Sequence, residues 1–231
     1  MRQPTAASVV KALRARGTRA NVAGLARYGI TGPGRLGVSV PVMRAIAKEA
    51  GRNHALALAL WKTGIPDARM VASMVAEPDR LTSAQMNAWV RDFGSWDVCD
   101  QVCDNAFQHS PLAWRKVREW APRREEFVRR AAFALLACLA WHDKRAGNAT
   151  FVRTFPLLRR AATDERNFVK KAVNWALRNI GKRNRPLNRG ALAEAVCIRR
   201  LGTPAARWIA ADAIRELSSA AVRRRLSRQP V

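Results

Sequence analysis

The sequence predicts an all-α fold, an α-solenoid of antiparallel helical pairs, and three observations carry that prediction. Helical periodicity dominates from Leu56 onward, with abundant Ala, Leu and Arg and few β-branched or aromatic runs suited to strands. Start and stop signals for helices recur along the chain. An internal echo joins the helices into a repeat: Phe127-Val128-Arg129-Arg130-Ala131-Ala132 resembles Phe168-Val169-Lys170-Lys171-Ala172-Val173, a separation of 41 residues. A third copy lies near Arg207-Trp208-Ile209-Ala210-Ala211, with Arg178 matching Arg215 at a separation of 37. Spacings of about 40 are those of HEAT-like repeats, so a right-curving stack with a concave basic face is expected.

Taken in order, residues 1–20 are expected to be peripheral or frayed, and Lys11, Arg14 and Arg16 interrupt any secretory apolar segment, which predicts a cytoplasmic protein. Gly29-Ile30-Thr31-Gly32-Pro33-Gly34-Arg35-Leu36-Gly37 reads as a loop; it lacks the Gly-Lys-Ser/Thr ending of a P-loop, and a connector is favoured over a phosphate cradle. Ser39 and Pro41 open a helix that Gly51 closes. Further starts fall at Thr82-Ser83, Ser110-Pro111, Asp164 and Thr203-Pro204, and stops at Gly64, Gly94, Gly181 and Gly202. The apolar run 131–141 has 11 residues where a bilayer span needs roughly 20, so it predicts a buried helix and no membrane partner. Asp92-Phe93-Gly94 copies a kinase tripeptide without the other kinase elements. Residues 219–231, including the basic run from Arg223 to Gln229, read as a frayed end of a single helical-repeat domain, 1–231.

Lys and Arg total 42 against 17 Asp and Glu, a net charge of +25 that predicts a polyanionic partner, with nucleic acid ahead of ribosomal association or generic solubilising charge. Cys99, Cys103, Cys138 and Cys197 lack Cys-x-x-Cys spacing and there are three histidines, so neither zinc nor a disulfide is implied. Buried thiols are the expected reading.

Against this basic background, Gly94-Ser95-Trp96-Asp97-Val98-Cys99-Asp100 sets an indole and two carboxylates on one helix. At about 100° per residue, Trp96 and Asp100 share a face beside an apolar stripe of Val98, Cys99, Val102 and Ala106. Asp100 therefore stands at the edge of the core, with Asp97 and Asp104 on the same arc. Pairing with arginines on adjacent helices is the structural alternative for these acids. Arg130 precedes the apolar run beside small alanines; it is either an ordinary surface arginine or a bidentate phosphate clamp that also orients Asp100. In the next repeat Phe168, Val169, Ala172, Val173 and Ala176 make the buried stripe, Lys171 and Arg178 lie opposite, and Trp175 falls between. That indole either caps the core or lies against a sugar or base.

These positions carry a resemblance to the AlkD-type DNA alkylation repair glycosylases over residues 22–217. Ala26-Arg27-Tyr28 followed by Gly37, Pro41 and Arg44 resembles the family's entry segment. Ser95-Trp96-Asp97-Val98-Cys99-Asp100 is similar to its Trp-Asp-x-x-Asp motif, whose second aspartate is catalytic; Arg130 resembles its active-site arginine, and Trp96 and Trp175 its two active-site tryptophans. The chain departs from the pattern at residues 29–34, where relatives are more polar and aromatic, and at Ser95, where they can place an aromatic.

The resemblance implies excision of cationic N3- or N7-alkylated purines from double-stranded DNA by a monomer, with no metal or organic cofactor. Because the alkylated base already carries positive charge it departs without a general acid, and one carboxylate, Asp100, suffices to stabilise the sugar oxocarbenium ion and orient water. Trp96 and Trp175 then hold sugar and lesion, each contact worth about 0.5–2 kcal/mol, and Arg130 fixes a phosphate and restrains Asp100. The family leaves the lesion in the stack, so Arg27, Tyr28, Arg44, Lys170, Lys171 and Arg178 are the expected DNA contacts. The competing expectations are a noncatalytic repeat protein that binds damaged or branched DNA and, behind it, a helical scaffold for an acidic protein.

Overall fold

Apolar positions recur at helical spacing through nearly the whole chain, and in the computed structural model, which describes residues 4–228, they are buried on helices throughout, with no strand among the described residues. Gln229 of the basic tail lies outside those residues. The helices gather into two compact units, Met1–Ala113 and Trp114–Val231.

The first unit contains α1 (Ala6–Arg16), α2 (Arg19–Leu25), α3 (Val40–Ala50), α4 (His54–Lys62), α5 (Pro66–Val75), α6 (Ser83–Arg91) and α7 (Trp96–Asn105), with a short 3-10 turn at Ala26–Tyr28. Helix α5 is its hub, packing on α1, α3, α4 and α7. Its ring cluster stacks Trp61 on Trp89 at 4.1 Å, with Phe93 at the edge of Trp61. The kinase-like tripeptide is thus structural: Phe93 is core, and Asp92 accepts the Trp61 indole N–H at 2.8 Å.

Several start signals hold in detail. Thr82 caps α6 through a reciprocal box with Gln85, while Ser39 precedes α3 without lending its hydroxyl and Pro41 sits in the first turn. The N-terminal end departs from expectation. Residues 6–16 are not frayed but form a helix closed by a Thr5–Ser8 capping box, with Leu13 fully buried. Its apolar stripe is short, which is why periodicity did not reveal it.

The second unit contains α8 (Ala113–Trp120), which begins at the boundary, α9 (Glu126–His142), α10 (Asn148–Val152), α11 (Phe155–Ala161), α12 (Asn167–Gly181), α13 (Arg185–Arg199), α14 (Pro204–Leu217) and α15 (Ala220–Ser227). The apolar run is the middle of α9, buried from 131 to 140, and no described helix is long and apolar enough to cross a membrane. The sequence echo is physical: α9 packs on α12 and α12 on α14, and Phe127 stacks on its counterpart Phe168 at 5.6 Å. Gly181 lets α12 approach α14, since a Cβ there would meet Leu217 Cδ1 at 2.6 Å. At the other end, α15 docks on α14 through the buried Val222 and Leu226 rather than fraying.

Helix α12 starts at Asn167, three residues after Asp164, whose carboxylate accepts the backbone N–H of the cap residue Arg166 at 3.2 Å. Its carboxylate accepts from Arg129 at 2.8 Å and from Arg166 at 2.6 Å. Burial opposes ionisation, but Arg166 and Arg129 outweigh it and lower the pKa from an ordinary 3.8 to about 2. A depressed carboxylate contributes stability that is complete above its unfolded pKa and is lost as pH falls toward the folded one. Asp164→Asn is therefore expected to lower the melting temperature at pH 7 and to flatten its fall between pH 4 and pH 2, as read by circular dichroism.

Candidate active site

A cavity of about 350 Å³ opens in the first unit between the start of α7, the start of α3 and the loop that precedes α3. Trp96 and Asp100, one turn apart on α7, line it together with Tyr28. Both are half-buried, and behind them Val98, Cys99, Val102 and Ala106 fill the core as the helical wheel predicts, joined by Cys103. Ile30, Val38, Met43 and Met70 give the cavity apolar wall, and Arg35, Asp67 and Asp97 add charged groups to its lining.

The loop is what shapes this cavity. Arg35 turns inward, 6% exposed, and donates bidentately to Asp97 at 2.7 Å and 2.7 Å, with a further bond to the Ser95 hydroxyl at 2.7 Å. The next residues are held from the other side: buried Asp67, at the start of α5, accepts the Leu36 and Val38 backbone N–H groups, each at 2.9 Å. Gly37 lies at φ +75°, and a Cβ there would meet the Thr18 carbonyl oxygen at 2.4 Å. The far end of the loop reaches α7 through the Trp96 indole, which donates to the Tyr28 carbonyl at 3.0 Å.

The three carboxylates expected on one arc therefore divide. Asp97 is an ion-pair partner, Asp104 accepts from Gln108 at 3.1 Å, and of the three, Asp97 and Asp100 line the cavity. Ser95, the departure from the family pattern, is buried and serves Arg35.

Of the other predicted residues in this unit, Arg27 and Tyr28 are exposed beside the cavity, with the guanidinium 4.9 Å from the Tyr28 ring centre. Arg44 is exposed on α3 and lines a separate groove.

The remaining candidates sit in the second unit. Trp175 is half-buried on α12, Lys171 is exposed, and Lys170 lies over the exposed ring of Trp208 at 5.6 Å. Arg178 differs from expectation. It pairs with Glu216 and lies 3.5 Å from Asp212, so its charge is compensated within α12 and α14. Burial opposes ionisation of Glu216, but Lys182 and Arg178 hold it below the usual carboxylate range. Arg130 is neither a surface arginine nor exposed to solvent: it is 5% exposed and donates to the Phe168 carbonyl at 2.6 Å, joining α9 to α12.

Sequence reasoning missed Arg35 and Asp67. Arg35 sits in a loop without periodicity and its partner lies 62 residues away, while Asp67 had only its place after Pro66 to mark it.

The whole arrangement lies within a family match. Residues 9–217 match the model described as DNA alkylation repair enzyme. A solved structure described as "a new family of proteins related to the HEAT-like repeat DNA glycosylases with affinity for branched DNA structures" is similar at 21% identity and a TM-score of 0.75, over 83% of this chain and 82% of that one. No curated protein matches.

Two outcomes test the architecture. Breaking a buried ion pair on one side costs about 3–5 kcal/mol, so Arg35→Ala is expected to lower the urea midpoint by that equivalent, and adding Asp97→Ala to recover part of the loss. Arg130→Ala, which leaves the Phe168 carbonyl without this donor, is expected to cost about 1–3 kcal/mol in the same measurement.

Proposed function

The chain belongs to the DNA alkylation repair enzyme family, and from that premise we propose that it hydrolyses the N-glycosidic bond of cationic N3- or N7-alkylated purines in duplex DNA. The observation that carries this reading is the sharing of one cavity by Asp100 and Trp96, with Ile30, Val38, Met43 and Met70 among its walls.

An alkylated purine leaves as a neutral base, because cleavage of the C1′–N bond returns the bonding pair to a ring that already bears positive charge. The deoxyribose then carries the charge as an oxocarbenium ion. Asp100, as a carboxylate against C1′, offsets that charge and takes the proton from an attacking water, and the abasic product retains its sugar hydroxyl. Trp96 offers an electron-rich face to the sugar or the cationic base, and its bond to the Tyr28 carbonyl fixes the ring. In the second unit, Trp175 supplies a further indole and Lys170 and Lys171 the cations for backbone phosphates. Arg27, Tyr28 and Arg44 do the same from the first unit. Arg130 supports α12, and so Trp175, from behind. Arg178 contributes through α12 and α14 rather than as a phosphate contact. This hydrolysis needs no general acid, metal or organic cofactor, and a monomer in the cytoplasm suffices.

A second reading is a noncatalytic binder of branched DNA, favoured by the affinity described for the structurally similar family. The two part on a single product: the glycosylase releases free methylated purine from alkylated duplex, and the binder does not. Asp100→Asn is expected to keep duplex affinity within about twofold and to slow release by about 10²–10³-fold or more, in line with loss of one preorganised electrostatic group. Wild-type release by that variant would exclude Asp100 from the chemistry. Trp175→Ala is expected to slow excision by about 2- to 30-fold, the equivalent of one cation–aromatic contact, with an unchanged thermal melt.

A further inference from the structure

Arg44, Lys48 and Arg52 converge on a second cavity of the first unit, a groove of about 360 Å³ closed on its far side by Met74 and Asn105. Arg44 and Lys48 are one turn apart on α3, and Arg52 follows the left-handed Gly51 that ends it. No acidic residue lines the groove, and neither Arg44 nor Lys48 has an ion pair among the described residues. Arg52 gives one N–H to the Ala76 carbonyl at 2.5 Å, which fixes its head at the rim.

This contrasts with the arginines that hold the fold together. Arg35, Arg159 and Arg178 each meet a carboxylate. Lys48 alone is accounted for by the carbonyl end of α3, where a cation is favoured. Arg52 meets the carbonyl end of α5 through Ala76, while Arg44 faces the groove from the middle of α3. Three like charges around one concavity repel one another, and an anion seated among them reverses the sign of that energy.

The position of the groove identifies the anion. Helix α7 sends Asp100 into the first cavity and Asn105 into the groove, and α3 likewise sends Met43 into one and Lys48 into the other. Five residues of helix rise amount to about 7.5 Å, or about two nucleotide steps at roughly 3.4 Å each along one DNA strand. We propose that the groove binds a backbone phosphodiester of the lesion-bearing strand, about two nucleotides from the alkylated base. The registration rests on Asp100 marking the lesion site; the phosphate site itself does not.

Single uncharged methylphosphonate linkages are walked along both strands of a duplex containing one 7-methylguanine, and affinity is read by fluorescence anisotropy. For the wild-type chain the linkage about two nucleotides from the lesion, on its own strand, is expected to weaken binding about tenfold, the equivalent of a hydrogen bond to a charged group. The Arg44→Gln/Lys48→Gln variant is expected to have lost that sensitivity. On undamaged duplex its plot of log affinity against log salt is expected to be shallower by about one, the contribution of the single phosphate that loses its cations. An unchanged salt slope overturns the phosphate site, whether or not Asp100→Asn abolishes excision. An effect confined to the opposite strand, or one that persists in the variant, overturns the registration. The scan on wild type needs no variant to fold, so it decides the registration alone if the double substitution unfolds the chain.

Discussion

The bidentate pair between Arg35 and Asp97 is the interaction on which the rest of the candidate site depends. A glycine-rich stretch with no helix of its own has to be held in one shape, and its own side chains offer little burial to do so. Arg35 supplies the hold from the α7 side and Asp67 from the α5 side. Between them the loop buries Ile30 and Val38, walls the cavity and brings the Tyr28 carbonyl to the Trp96 indole. Such a pair is a weak source of net stability, because its Coulomb energy is offset by desolvation, yet losing one partner leaves a costly orphan. Here it specifies one loop conformation.

The same pair sorts the acidic residues of α7. Asp97, in the first turn, is favoured by the helix dipole and neutralised by a guanidinium. Asp100, one turn later, is placed at the edge of the core beside Trp96. Two carboxylates three residues apart thus line one cavity in different roles, Asp97 held by Arg35 and Asp100 beside Trp96.

The fold was legible where burial is periodic. The echoing Phe127 and Phe168 do stack, and the apolar run of α9 is the most buried helix segment in the second unit. Helix α1 was not legible, because it buries only Val9 and Leu13 and its remaining surface reads as a charged segment. The start expected at Asp164 falls three residues later, at Asn167, with the Asp164 carboxylate bound by Arg129, by Arg166 and by the Arg166 backbone N–H. At the site, Trp96 and Asp100 could be found because the helix that carries them is continuous in sequence. Arg35 and Asp67 could not, since their partners lie 62 and about 30 residues away and no periodicity links them. For Arg130, sequence alone left a surface arginine as one alternative, and the 5% exposure and the bond to the Phe168 carbonyl exclude that alternative.

The charge balance explains why an acidic cavity matters in so basic a chain. Even if every one of the 17 carboxylates were paired, 25 cations would remain, so general affinity for a polyanion follows from composition and discriminates nothing. Selectivity needs a local field of the opposite sign. The Asp100 cavity repels phosphate and attracts a cation, whereas the Arg44, Lys48 and Arg52 groove does the reverse a short distance along the same helices. A strand laid across both can satisfy the two fields together only by setting a phosphate in one and a positively charged nucleotide at the other, and an undamaged neutral purine meets the second field with no gain.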